Sequence, residues 1–152
     1  MINTIYVIAG PTAIGKSKFS ILLAKKLGGI IVNSDSMQVY NNLKILTARP
    51  SNEEMQNIDH YLYGYIDGTK RYNVEKWCND ASNIIEKSFK NKTIPIIVGG
   101  TGLYINSLFN GIVDMPNISE EIKTESEKIL KKLGKNFLIN QIKKIDPESL
   151  KK

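Results

Sequence analysis

Residues 10 to 17 read Gly10-Pro11-Thr12-Ala13-Ile14-Gly15-Lys16-Ser17, the spacing G-x-x-x-x-G-K-[ST] of a phosphate-binding loop. The chemistry it offers is anion capture. Its glycines let backbone N–H groups turn inward at a helix N-terminus. Lys16 adds a point charge, and the Ser17 hydroxyl is placed to hold Mg2+. A second polar stretch holds Asp35, whose carboxylate, with an ordinary pKa of about 3.9, is ionised at neutral pH. It suits a general base or a metal ligand; the alternative is that Asp35 or Ser36 caps a turn. A third, Gly99-Gly100-Thr101-Gly102, is either a ligand-binding loop or a tight strand-to-helix turn. The apolar run before it ends in glycines where P-loop kinases and ATPases carry an acidic Mg2+ ligand. That counts against nucleotide hydrolysis, although Asp35 could substitute.

These stretches need elements to position them. Ile5 to Ala9 is β-branched and apolar, as a buried strand should be. Lys18 to Leu27 carries Phe19, Leu22, Leu23 and Leu27 at helical spacing, and Gly28-Gly29 ends that helix as a C-cap pair. Ile30 to Val32 is a short strand that delivers Asp35 to its carboxyl end. Leu43 to Pro50 reads as loop, and Ser51 with Glu54 as a capping box. Tyr61 to Ile66 alternates like a strand, weakened by Gly64. Val74 to Phe89 is an amphipathic helix, and Ile94 to Val98 a buried strand with Pro95 near its start.

The alternation predicts an α/β fold, a P-loop-type parallel sheet flanked by helices. Ligands of such sheets bind beyond the carboxyl ends of the strands, so the segments around Lys16, Asp35 and Thr101 should share one crevice. After residue 116 the character changes. Asn117 is expected to cap a run ending at Gly134, and Phe137 to Ile145 forms a second helical set. The expected division is residues 1–115 as the first part of the sheet core and residues 116–152 as the start of a helical insertion.

At 152 residues, 41% hydrophobic and 24% charged, the composition fits one soluble globular domain. The net charge of +6 favours an anionic partner such as nucleic acid, though excess lysine also serves solubility. Arg49 and Arg71 are the only arginines, and both are candidate phosphate or carboxylate ligands. The single cysteine, Cys78, excludes an intrachain disulfide and suits a reducing compartment. It shares an apolar helix stripe with Trp77, where packing outweighs reactivity. His60, the only histidine, reads as a hydrogen-bonded structural residue. The N-terminal apolar run is too short to span a membrane, so a cytoplasmic protein without membrane contact is expected.

Three segments in this order, Gly10 to Ser17, Asp35-Ser36-Met37-Gln38-Val39-Tyr40 and Gly99 to Tyr104, resemble the tRNA dimethylallyltransferase (tRNA isopentenyltransferase) family. Thr47 to Pro50, Tyr72 to Val74 and Asp146 to Ser149 fall where similar segments occur in it. The resemblance implies transfer of a dimethylallyl group from its diphosphate to N6 of the adenosine on the 3′ side of the tRNA anticodon. The partners it implies are tRNA and dimethylallyl diphosphate, with Mg2+ as cofactor and a monomeric protein. Lys16, Asp35 and Thr101 match the family's catalytic positions. Gly10 to Ser17 matches its diphosphate or nucleotide loop, with Ser17 on the metal. Asp35, Ser36, Met37, Gln38, Thr101 and Lys123 match its tRNA contacts.

The chain departs from the family pattern in places. Lys44 and Leu46 stand where an aspartate and a glycine are usual, and His60-Tyr61 replaces a His-His pair. Lys123 replaces an arginine, keeping charge but losing the planar fork. Family members also run well past residue 152, so an N-terminal portion with an incomplete core is expected. The alternatives are an enzyme that prenylates free adenine nucleotides, a small-molecule P-loop kinase, and an inactive fragment that binds RNA.

Overall fold

Apolar stretches form four strands, Tyr6–Ala9 (β1), Gly29–Asn33 (β2), His60–Tyr61 (β3) and Ile94–Gly99 (β4). In this computed structural model, which describes residues 3–112 and 118–151, they pair in parallel in the order β1-β4-β2-β3. Two units are resolved, residues 1–112 and 113–152. The parallel α/β sheet expected from the strand–helix alternation is present in the first.

Period-two alternation builds two core layers from the same strands. Ile30, Val32 and Ile97 pack to one side, with Trp77, Ala81 and Ile85 of the helix Val74–Lys90 and Tyr104 of Gly102–Asn110. Ile31, Ile96 and Val98 pack to the other side, with Ile21 and Ala24 of Lys16–Leu27. In chain order the helices of this unit are Lys16–Leu27 (α1), the short Asn52–Met55 (α2), Val74–Lys90 (α3) and Gly102–Asn110 (α4). Helices therefore cover both faces of the sheet. The capping box at Ser51 forms as expected: its side chain accepts from Glu54 N while the Glu54 carboxylate accepts from Ser51 N.

Several local expectations are corrected. β1 is not buried: Tyr6 and Val7 are each 40% exposed, because β1 lies at the sheet edge and pairs with β4 alone among the described strands. On α1, the packed face is Ser20, Ile21 and Ala24, while Phe19 and Leu22 point outward. That helix is apolar around more of its girth than the sheet covers. Gly28 is the C-cap, with φ 63 and its N–H bonded to Ala24 O. Gly29 already belongs to β2, where a Cβ would lie 2.7 Å from Ile94 O. The strand expected from Tyr61 to Ile66 shrinks to His60–Tyr61, since Leu62 and Gly64 adopt positive φ. Ile66 returns only as a parallel bridge to Tyr40.

The second unit contains Glu120–Ile145 (α5), interrupted at Gly134 (φ 77, ψ 168). The break at Gly134 is where the sequence places it. Ser119 caps the helix by accepting from Ile122 N; the expected cap Asn117 lies outside the described residues. Every described residue of α5 keeps some solvent exposure, and none is buried.

Candidate active site

The loop between β1 and α1 is bent by positive φ at Ala13 (66) and Gly15 (93). A left-handed alanine costs roughly 1 kcal/mol, and such strain tends to collect at functional loops. α1 starts at Lys16 with no side-chain cap and no acidic residue in its first turn. Its leading N–H groups and dipole are thus left for an anion. Lys16 Nζ folds back over the loop, donating to Gly10 O (2.8 Å) and Pro11 O (2.7 Å). An ammonium has three protons to donate, so one remains for a ligand.

Asp35 follows β2 and is held on all sides. Asn33 is fully buried: its Oδ1 accepts Asp35 N at 2.9 Å, and its Nδ2 donates to Asp35 O and Leu62 O, each at 3.0 Å. The Trp77 indole donates to Asn33 O at 2.8 Å and stacks on Tyr104. One carboxylate oxygen, Asp35 Oδ1, accepts from Met37 N (2.9 Å) and Gln38 N (3.4 Å). The turn-capping alternative is therefore real, but it occupies only that oxygen. Among the described residues Oδ2 takes no hydrogen bond.

Thr101 follows β4. Its N–H donates to Ser34 O (3.2 Å) and its Oγ1 accepts from Ser36 N (3.0 Å). Gly99 permits this approach, because a Cβ there would lie 2.4 Å from the Ser34 carbonyl carbon.

A cavity of about 880 Å3 joins the first two segments and reaches the third at Gly99. Thr12, Ala13, Gly15, Lys16 and Ser17 line one side, and Asp35, Met37, Gln38 and Gly99 another. Ile21, Leu22, Leu46, Ala48 and Pro50 add apolar wall. Leu22 and Leu46 remain 65% and 80% exposed, so apolar surface faces this space uncovered. Tyr63 lines it too; burial first, then the charge of Asp35, pushes its phenol well above the ordinary value. It stays a neutral donor. Gly10, Pro11, Ile14, Ser36 and Thr101 are not among the residues that line the cavity. Lys123 belongs to the second unit, exposed on α5 and paired with Glu120 at 2.5 Å. Neither His60 nor Cys78 lines it; His60 Nδ1 donates to Ile58 O at 2.7 Å, as a structural histidine would. Asn33 and Tyr63 carry no role in the sequence pattern, and Leu46 enters it only as a departure from the family. Of these, only Asn33, two residues before the carboxylate at a strand end, carried a local signal.

A loop with an uncapped helix start and a lysine, a half-free carboxylate and an apolar wall thus share one space. The family model described as IPP transferase matches residues 38–152. The chain belongs to the IPP transferase family. A second model, isopentenyl transferase, matches residues 3–70. The tRNA dimethylallyltransferase of Pelagibacter ubique is 46% identical over 146 residues, covering 96% of this chain and 47% of the relative. That of Hyphomonas neptunium is 42% identical over 141 residues, covering 93% and 45%. A tRNA isopentenylpyrophosphate transferase structure from Bacillus halodurans aligns with TM-score 0.73 at 34% identity, covering 97% of this chain and 49% of that one. A eukaryotic dimethylallyltransferase acting on tRNA aligns with TM-score 0.80 at 34% identity, covering 95% and 36%. The chain spans about half the length of the curated relatives it matches.

Proposed function

We propose that this chain holds dimethylallyl diphosphate and the adenosine beside a tRNA anticodon, and transfers the dimethylallyl group to adenosine N6. The carrying observation is the shared cavity: phosphate cradle, Asp35 and apolar wall in one volume. The wall of Leu22 and Leu46 beside the cradle suits an apolar tail on the diphosphate. The names of the family's relatives support the same reading.

The step balances simply. N6 attacks the allylic carbon, the carbon–oxygen bond to diphosphate breaks, and the amine proton passes to Asp35 Oδ2. An adenine amine is a weak nucleophile, its lone pair drawn into the ring, so a base within hydrogen-bond reach matters. Diphosphate gathers negative charge as it leaves. Lys16 and the amides opening α1 stabilise that charge in place. Thr101 and Gly99 hold the Asp35 segment against β4, and the target base is turned out of its stack to reach it.

Mg2+ fits the residues present. Among the described residues no group of three His, Cys, Asp or Glu is arranged to hold a metal, and Ser17 lines the cavity. A magnesium ion leans on one or two protein oxygens plus substrate phosphates and water. Ser17 would hold it, and bound there it supplies further charge neutralisation for the diphosphate. We place the reaction in the cytoplasm, which a lone, half-buried Cys78 suits. No helix among the described residues is long and apolar enough to cross a membrane.

Incubation with Mg2+, dimethylallyl diphosphate and unmodified tRNA, followed by nucleoside digestion and mass spectrometry, tests the reading. N6-dimethylallyladenosine from tRNA is expected. Its absence, or its appearance only on free AMP, ADP or ATP, overturns the tRNA assignment.

A further inference from the structure

The two arginines have opposite fates. Arg49 is structural: its Nη1 donates to Tyr40 O (3.1 Å) and its Nη2 to Asn41 O (3.3 Å). Its guanidinium fills the space where a Gly64 Cβ would stand. Arg71 is exposed and makes no hydrogen bond or ion pair among the described residues, and the same holds for the Lys76 side chain. Both line a second concavity of about 670 Å3, together with Lys70, Asn79, Tyr72 and Asp80.

The wall behind these cations is fixed and carries one carboxylate, Asp80. Asp80 Oδ2 accepts from the hydroxyls of Tyr65 and Tyr72, each at 2.8 Å, which spends both phenol protons on that carboxylate. Burial pushes both phenols well above their ordinary range, so they stay protonated. Lys70 partly offsets Asp67, whose carboxylate is taken up by Thr69. Lys70, Arg71 and Lys76 outnumber Asp80, the one carboxylate in the lining, and leave the concavity net positive.

Position supplies the second argument. The segment that lines the concavity is hydrogen-bonded to the segment that follows Asp35. Ile66, part of its lining, bridges in parallel to Tyr40. Gly64 N donates to Gln38 O (2.8 Å) and Tyr65 N to Val39 O (2.9 Å). The segment that ends in Arg71 is therefore stitched to the segment that begins at Asp35.

We propose that Arg71 and Lys76, with Lys70, bind backbone phosphates of the RNA strand whose adenosine is presented to Asp35. This rests on the reading of the chain as a tRNA-modifying enzyme. A planar guanidinium suits a phosphate bidentately, and a lysine serves it as a point charge. Such contacts position a strand without reading its sequence.

The test is binding of an unmodified anticodon stem-loop RNA across a series of KCl concentrations, for wild type, Arg71→Ala, Arg71→Lys and Lys76→Ala. Each lost single-strand phosphate contact lowers the slope of log K against log salt by about 0.7. Arg71→Ala and Lys76→Ala should each lose about that much slope and bind more weakly at low salt, to the same degree for scrambled loops. Arg71→Lys should keep the slope, and dimethylallyl diphosphate affinity should not change in any variant. An unchanged slope in both alanine variants, with RNA and dimethylallyl diphosphate still bound, overturns this inference alone. Arg71-dependent binding of inorganic phosphate with no effect on RNA also overturns it, in favour of a small-anion site. Wild type that binds neither RNA nor dimethylallyl diphosphate overturns the underlying reading instead.

Discussion

Thr101 Oγ1 accepts the backbone N–H of Ser36 at 3.0 Å, joining residues 65 positions apart. With Thr101 N on Ser34 O, the loop after β4 is clasped to both sides of Asp35. The carboxylate is thereby fixed by two strand ends at once. Thr101→Ala strands the Ser36 N–H and should cost about 1–3 kcal/mol, with Thr101→Ser restoring most of it. Urea unfolding of the three proteins measures this, and a Thr101→Ala protein as stable as wild type contradicts the clasp.

Asp35→Asn separates the two duties of that residue. The amide oxygen still accepts Met37 N and Gln38 N, so the turn and the fold should survive. The base is lost, and the transfer rate should fall about 10²–10⁴-fold while dimethylallyl diphosphate binds as before. Single-turnover rates beside equilibrium binding show whether the loss is confined to chemistry.

Lys16 bonds only loop carbonyls, so Lys16→Ala should leave the unfolding midpoint close to wild type. The transfer rate should fall about 10²–10³-fold, as when one charge-stabilising donor is removed. Activity that survives intact means the loop does not grip the leaving group.

The stability of the chain should depend on pH through His60. Burial lowers its pKa more than Ile58 O and Asp59 raise it, so the unfolded chain binds the proton more readily. Stability is then full above the ordinary histidine value near 6.5 and declines as pH falls through the lowered folded value. Urea midpoints measured from pH 8 downward should drop for wild type, and His60→Asn should flatten that drop before the carboxylates titrate.

Much of this was legible in the chain because it is written in local patterns. The glycines and lysine of residues 10–17, the capping box at Ser51 and the helical stripe through Trp77 each declare themselves within a few residues. What stayed hidden depended on contacts distant in sequence. β1 reads as buried because its residues are apolar, yet only its place at the sheet edge decides its exposure. Phe19 and Leu22 fit the helical period as well as Ile21 and Ala24, and nothing local says which face meets the sheet. The truncated β3 follows from positive φ at Leu62 and Gly64, of which only Gly64 gave notice. Leu46 looked like a departure from a family pattern; the cavity gives it a physical setting beside the phosphate loop.

Leu46→Gly removes part of the apolar wall without touching the cradle. Affinity for dimethylallyl diphosphate should drop about three- to tenfold, a fraction of the effect of fully burying a leucine-sized group. Affinity for inorganic diphosphate should hold. Equal losses for both ligands contradict the assignment of that wall to the prenyl tail.

The central claim is that the phosphate cradle and apolar wall together hold a prenyl diphosphate. Calorimetric titration of the wild-type chain with dimethylallyl diphosphate, inorganic diphosphate and ATP, each with Mg2+, tests it most directly. Burying a five-carbon tail is worth about 1.5–3 kcal/mol, so dimethylallyl diphosphate should bind roughly 10–100-fold tighter than inorganic diphosphate, and tighter than ATP. ATP binding more tightly, or the prenyl group adding nothing to diphosphate, contradicts the account.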